Sequence, residues 1–120
     1  MKRASTFEDL IVWQKAHQLT LDVYALTDSF PKSEQFGLTS QMRRAAYSIP
    51  SNIAEGFAKR GIKDKLRFYN ISQGSLQELK YFMILSADLN YHQSKDSMID
   101  KANQVGKLLS AYISKINSNS

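Results

Sequence analysis

The chain has 120 residues, of which 42% are hydrophobic and 22% are charged. This length favours one domain over residues 1–120, and the composition is typical of a globular protein rather than a disordered one. The lack of cysteine excludes disulfides, thiolate metal sites and a thiol nucleophile, and it favours a reducing, cytoplasmic location. A net charge of +5 favours polyanionic partners without identifying one.

Membrane insertion and secretion are not expected. The longest uninterrupted apolar run, Tyr81 to Leu85, has only five residues, far fewer than a membrane-spanning helix needs. No basic segment that leads into an apolar stretch, as in a secretion signal, opens the chain.

Four helices are predicted from the sparse turn residues and the apolar spacing. The chain contains two prolines and five glycines, and Pro31, Gly61 and the segment 90–94 divide it into long stretches. Within these stretches apolar residues recur at spacings of three and four, which is the period of an α-helix. The predicted helices cover about residues 9–30, 34–59, 64–90 and 95–116.

Pro50 lies inside the second predicted helix. Its ring clashes with the carbonyl of Ala46, and its missing amide hydrogen removes one backbone hydrogen bond. Because the apolar pattern continues from Ile49 to Ile53 and Phe57, we predict one helix kinked at Pro50 rather than two helices. Short connections make sequential helices antiparallel, so the predicted fold is all-α, an up-down-up-down four-helix bundle.

Two apolar runs, 10–13 and 81–85, point all around their helices, because successive helical residues lie about 100° apart. One side of each run cannot face the core of its own bundle, and we therefore predict self-association. The alternative is a monomer with scattered exposed apolar residues, which are common on proteins. The residues predicted at the oligomer interface are Trp13, Tyr81, Met83, Ile84 and Leu85.

A cluster of cations surrounds the connection between the second and third predicted helices, opposed there only by Asp64. Antiparallel packing adds Lys2, Arg3 and Lys115 at the same end of the bundle. Such cations suit the phosphates of RNA or DNA, which they bind without reading bases. The alternative is a solvated turn that only favours solubility. The predicted nucleic-acid-binding residues are Lys59, Arg60, Lys63, Lys65 and Arg67.

Two aromatic residues, Phe68 and Tyr69, follow these cations and can stack on unpaired bases in principle. A core position explains Phe68 better, since it falls in helical phase with Ile71, Leu79 and Phe82.

Polar residues at helical spacing follow the apolar face of the second helix, and two more interrupt the third. Antiparallel packing about Gly61 places Arg44 opposite Glu78 and Ser48 opposite Ser75. Because buried polar groups need partners, we interpret the set as an architectural lock that fixes helix register. Catalysis is the alternative interpretation, although it lacks an activated nucleophile. The predicted lock residues are Arg44, Ser48, Asn52, Glu55, Ser75 and Glu78.

No motif in the chain predicts catalysis. His17 and His92 lack metal-binding spacing, and we interpret both as polar surface residues. The glycine spacing of residues 56–61 matches a phosphate-binding loop, but Ile62 stands where that loop needs lysine. We therefore predict a non-enzymatic protein with no catalytic residue, metal or cofactor.

Several short segments, taken in chain order, carry a family resemblance. The most specific are residues 48–56, Ser-Ile-Pro-Ser-Asn-Ile-Ala-Glu-Gly, and residues 74–79, Gly-Ser-Leu-Gln-Glu-Leu. The others are 7–10, 13–16, 30–31 and 38–45. Through them the chain resembles, from about residue 7 to residue 112, the small proteins encoded within intervening sequences of bacterial 23S ribosomal RNA genes.

This resemblance implies a four-helix bundle with a continuous, kinked second helix, no established enzymatic activity, and homo-oligomers, since relatives form pentameric rings. A similar fold serves as the accessory protein of diversity-generating retroelements, where a basic ring surface engages nucleic acid and a reverse transcriptase. Ser72 departs from the family pattern, in which we expect a small apolar residue such as alanine.

Taken together, the residues and the resemblance predict a cytoplasmic homo-oligomer, most simply a pentamer, whose basic end binds RNA or DNA. The first alternative is a scaffold whose basic face docks an acidic partner protein. The second is a ribonuclease that depends on His17 or His92.

Overall fold

The computed structural model describes residues 3–118, and these form an all-α fold of four helices, as predicted. Lys2, counted above with the basic end, lies outside the described residues. Within residues 3–118 no helix combines the length and the apolar character needed to cross a membrane. The helices are α1 (Ile11–Thr27), α2 (Leu38–Ala58), α3 (Ile62–Asp88) and α4 (Lys95–Ser118), with short 3₁₀ helices at Phe7–Asp9 and Lys32–Glu34.

Side-chain contacts show that neighbouring helices run in opposite directions. On α2, Ser48 contacts Ser75 of α3, whereas Phe57, further along α2, contacts Lys65, which is earlier in α3. The same reversal holds for α1 and α2, where Thr20 contacts Ala46 and Thr27 contacts Arg43. It also holds for α3 and α4, where Tyr69 contacts Tyr112 and Leu76 lies beside Gly106. The last helix, α4, returns to α1: Lys101 contacts Asp22, and the end of α4 shares a groove with the start of α1.

The buried face of α3 differs from the predicted one by about one residue. Phe68 and Phe82, predicted to be core residues, are only partly buried, and Ile71 is exposed. Two of the buried positions are serines, which a hydrophobic pattern does not reveal. The buried residues of α3 are Tyr69, Ser72, Leu76, Leu79, Met83 and Ser86.

Hydroxyl groups satisfy the carbonyls around Pro50, through which α2 runs without interruption. The Ala46 carbonyl, which in a regular helix would accept from residue 50, lies 3.1 Å from Thr20 Oγ1, whose one hydrogen is shared with the Ala16 carbonyl at 2.9 Å. From α3, Ser72 Oγ donates to the Ile49 carbonyl at 2.9 Å. Both neighbouring helices thus supply donors to this part of α2, while the kink itself remains a prediction.

The start of α2 is held by a side chain from the preceding turn. The helix begins at Leu38 rather than near residue 34, because Gly37 has φ −112° and ψ −113°, outside the helical region. Glu34 Oε1 accepts a hydrogen bond from the Leu38 amide at 3.0 Å, and Oε2 accepts one from the Tyr91 hydroxyl at 2.8 Å. These two bonds lower the pKa of Glu34 and tie the two connections at this end together.

The end of α3 is a Schellman motif built on Asn90. This residue has φ 64°, in the left-handed region that asparagine tolerates better than most residues. The amide of Tyr91 donates to the Ser86 carbonyl and the amide of Asn90 to the Ala87 carbonyl, both at 2.9 Å. The chain then turns towards α4.

Candidate nucleic-acid interface

The predicted polar lock brings four of its six residues together across α2 and α3. Arg44 Nη2 lies 3.2 Å from Glu78 Oε1, and Ser48 Oγ lies 2.9 Å from Ser75 Oγ. The Arg44 and Glu78 side chains are 48% and 41% exposed, so this pair is not the buried pair that the lock required. An exposed ion pair stabilises a protein by about 0–1 kcal/mol.

The other two lock residues make their contacts within α2. Asn52 Nδ2 donates to the Ser48 carbonyl at 2.8 Å and to Ser48 Oγ at 3.1 Å. The Glu55 carboxylate lies 4.0 Å from Lys59 Nζ, one turn further along the same helix. Register between α2 and α3 is therefore specified by the serine pair and by the bond from Ser72, more than by the charged residues.

Lys65 differs from the free phosphate-binding cation that its sequence position predicted. Its Nζ donates to the carbonyls of Gly56 and Phe57, at 3.2 Å and 2.9 Å, in the last turn of α2. Cations are favourable at a helix C-terminus, where the carbonyls lack amide partners. Burial lowers the pKa of Lys65. Lys65 therefore caps the C-terminus of α2 and is not an unpartnered cation.

Two further cations of the predicted set flank one aromatic ring. Lys59 Nζ and the Arg67 guanidinium carbon each lie 5.1 Å from the centre of the Phe68 ring. Arg67 Nη2 also lies 3.7 Å from Asp64 Oδ1. Tyr69 is fully buried, and its pKa is raised by that burial, so it does not offer a surface for base stacking.

The side chains of Arg60 and Lys63 are exposed and make no ion pair or hydrogen bond with any residue in the range 3–118. They lie on either side of Gly61, where α2 gives way to α3. Arg3 and Lys115 are also exposed, and the antiparallel fold places both at this end. The end of the bundle that carries the connection between α2 and α3 thus presents the exposed cations Arg3, Arg60, Lys63 and Lys115.

The residues predicted at an oligomer interface fall into three groups. Tyr81 and Ile84 are 57% and 42% exposed on α3. Trp13 and Leu85 are partly buried against the core. The prediction was wrong for Met83, which is 0% exposed, because the buried face of α3 is rotated relative to the predicted one.

Both histidines have aromatic or polar partners. His17 stacks on Trp13 with ring centres 4.9 Å apart. His92 is partly buried rather than a surface residue, with Nε2 2.9 Å from Ser86 Oγ and Nδ1 accepting from the Ser94 amide at 3.0 Å. In the part of the chain that the structure describes, no cluster of acidic residues and histidines is arranged to hold a metal ion.

Sequence reasoning missed Thr20, Ser72, Glu34 and His92 as structural residues. A signal existed for Thr20, since Pro50 leaves the Ala46 carbonyl without an amide and a buried threonine on α1 can supply a donor. Glu34 had a weaker signal, a carboxylate just before a helix N-terminus. No sequence signal marked Ser72 or His92 as structural residues, because their partners lie on other elements or across a turn.

The fold and its basic end define a class of protein, a small antiparallel four-helix bundle with polarised charge. The chain belongs to the 23S rRNA-intervening sequence protein family, whose model matches residues 8–111. A solved protein of unknown function from the S23 ribosomal protein family of Bacteroides thetaiotaomicron has a similar fold, with a TM-score of 0.77. It is 21% identical, and the match covers 86% of this chain and 98% of that one. No functionally curated protein matches this chain.

Proposed function

We propose that this protein is a non-enzymatic homo-oligomer that binds RNA or DNA through phosphates at the connection between α2 and α3. The observation that carries the proposal is the pair Arg60 and Lys63, which is exposed and without an ion-pair partner among residues 3–118. Exposed cations release counterions from a nucleic acid when they contact its phosphates, and this drives binding. The contact residues proposed here are Arg60 and Lys63, with Lys59 and Arg67 beside them.

The aromatic residues near this connection support binding without base specificity. Tyr69 is buried, and the Phe68 ring is flanked by Lys59 and Arg67. Base readout needs exposed donors, acceptors or rings that fit base edges or faces. Long cationic side chains around a turn suit a phosphate backbone better.

Self-association would strengthen such binding. Tyr81 and Ile84 expose apolar surface on α3, away from the proposed phosphate contacts. Copies joined through this surface present the cations several times, which turns weak contacts into a higher overall affinity. A pentameric ring, as the family resemblance implies, is the assembly we propose.

The test compares two charge-reversed proteins. The double variant Arg60→Glu, Lys63→Glu should bind a short fluorescent structured RNA much more weakly, measured by anisotropy at several salt concentrations. Each phosphate contact that is lost should reduce the slope of log K against log salt by about 0.9. Helicity and assembly should not change, since both residues are exposed.

The matched control is Lys32→Glu, Lys95→Glu, which makes the same charge change with exposed residues at the opposite end. We expect this control to retain most of the salt-dependent affinity. If both variants weaken binding equally, net charge alone explains it. If neither does, the connection between α2 and α3 is not the binding surface.

A further inference from the structure

An open groove of about 1420 Å³ lies at the same end of the bundle, between the start of α1 and the end of α4. Its floor is mainly apolar, and one of its residues, Ile11, is 57% exposed. Exposed apolar surface in a concave site is typical of a binding site. The apolar residues that line it include Leu10, Ile11, Phe57, Leu108, Tyr112 and Ile116.

The border of this groove is positively charged. Arg3, Lys65 and Lys115 line it, and Asp9 is the one acidic residue among the described residues that line it. The Asp9 carboxylate is already engaged, because its Oδ2 accepts hydrogen bonds from the amides of residues 5 and 6 at 2.8 Å and 3.1 Å. Among residues 3–118, an anionic occupant of the groove therefore meets cations and no lining carboxylate without hydrogen bonds.

The dimensions suit a helix better than a small molecule. Along α4 the groove extends from Leu108 to Ile116, about 12 Å at a rise of about 1.5 Å per residue. Small-molecule sites usually enclose about 300–1,000 Å³, which is less than this groove. Two turns of an α-helix are about as long as this groove. Because the groove is open rather than enclosed, it can accept a helix roughly 10–12 Å wide.

We propose that this groove binds an acidic amphipathic helix of a partner protein. Apolar side chains of the partner at helical spacing would cover the floor, as in other complexes of a helix with a groove. Its carboxylates would face Arg3 and Lys115, and one hydrogen of the Lys65 ammonium is left after the two bonds to α2. A nucleic-acid backbone would leave the apolar floor uncovered, which favours a peptide here. The proposal stands independently of nucleic-acid binding at Arg60 and Lys63.

The probe is a fluorescent synthetic peptide with leucines along one helical face and glutamate and glutamine on the other. Its binding to the full chain, measured by anisotropy, should be saturable and at least about tenfold weaker for Ile11→Glu and for Lys115→Glu. A peptide with lysine in place of glutamate should bind much more weakly. Both altered side chains are exposed, and circular dichroism checks that the variants fold. If Ile11→Glu does not fold, Ile11→Ser takes its place.

Controls separate this site from the phosphate contacts. The variant Arg60→Glu, Lys63→Glu should lose RNA affinity yet keep peptide affinity. Displacement of the peptide by RNA would overturn the proposal and assign the groove to the nucleic-acid surface. Equal binding of the basic peptide, or unchanged affinity in Lys115→Glu, would also overturn it. Loss of self-association in Ile11→Glu would show that a second copy fills the groove instead.

Discussion

Thr20 connects α1 to the part of α2 that Pro50 deprives of a backbone donor. Its Oγ1 contacts the carbonyl of Ala46 at 3.1 Å and the carbonyl of Ala16, in its own helix, at 2.9 Å. A buried carbonyl without a partner costs about 1–3 kcal/mol. The hydroxyl therefore helps explain why the interior proline is tolerated in a continuous helix.

We expect Thr20→Val to lower the free energy of unfolding by about 1–3 kcal/mol, because the shape is nearly kept and the donor is lost. Urea unfolding followed by circular dichroism measures the change. Thr20→Ser keeps the hydroxyl and is the control.

A double-mutant cycle with Pro50→Ala tests the mechanism. Alanine restores an amide to bond the Ala46 carbonyl, so the cost of Thr20→Val should fall by about 1 kcal/mol in that background. An unchanged cost would show that the bond to Ala46 is not what Thr20 contributes.

The environment of His92 predicts that the free energy of unfolding depends on pH. Its pKa is lowered by burial, and Nδ1 accepts a hydrogen from the Ser94 amide, which only a neutral ring can do. The unfolded chain binds this proton more tightly, near its usual pKa of about 6.5. The contribution of His92 to stability is thus complete above about pH 6.5 and is lost as the pH falls through the lower, folded pKa.

Urea unfolding at about pH 7.5 and about pH 5.5 should therefore show lower stability at the acidic value. His92→Gln should reduce that difference, whereas His17→Gln, which changes an exposed residue of α1, should leave it intact. An equal pH dependence in His92→Gln and the parent protein would contradict the assignment.

At the scale of helices, two glycines are expected to respond in opposite ways to substitution by alanine. A Cβ on Gly56 would lie 2.5 Å from a ring carbon of Tyr69, which is 0% exposed. A Cβ on Gly74 would meet nothing within 4 Å. Close approach of α2 and α3 thus depends on Gly56 and not on Gly74.

Gly56→Ala should destabilise the protein by about 1–3 kcal/mol, because the buried ring cannot move freely. Gly74→Ala should stabilise it by about 0.5–1 kcal/mol, since alanine favours a helix interior. Thermal unfolding of the two variants beside the parent protein measures both. Opposite shifts are the expected result, and a stabilising Gly56→Ala would contradict the close contact.

At the scale of the whole molecule, the bundle is long enough that the charges at its two ends interact only weakly. The Cα atoms extend over 46 × 24 × 20 Å, and salt screens exposed charges beyond about 8 Å under physiological conditions. Acidic residues at the far end therefore do little to weaken the field around Arg60 and Lys63. This separation also makes the charge-reversal control at Lys32 and Lys95 informative.

Self-association through α3 is the prediction at this scale. Tyr81→Ser with Ile84→Ser should shift the protein towards monomers in sedimentation velocity, because the exposed apolar surface of α3 is removed. The control changes equally exposed apolar residues of α1, as Leu21→Ser with Tyr24→Ser, and should not alter the assembly. Monomers in the parent protein at micromolar concentration would refute the proposal.

Much of the fold could be predicted because apolar residues at helical spacing must meet in a core. On α1, α2 and α4 many apolar residues at helical spacing are buried, for example Leu19, Ile49 and Leu109, although the spacing did not mark Thr20 and Ala46, which are buried as well. On α3 apolar residues occur all around the helix, so spacing alone leaves its rotation open. For the candidate site the sequence predicted only a set of cations, because the distances that decide which cations have partners depend on the tertiary structure.

The sequence alone determined four helices, their order and the end at which positive charge collects, since these follow from local periodicity and short connections. Tertiary structure decided which face of α3 is buried, and on that face Ser72 donates to a carbonyl of α2, which makes a polar residue favourable inside. It also decided that Lys65 caps α2, while the Arg60 and Lys63 side chains have no ion-pair partner within residues 3–118. Partner choice depends on distances between elements that are far apart in the chain, and local sequence patterns do not contain them.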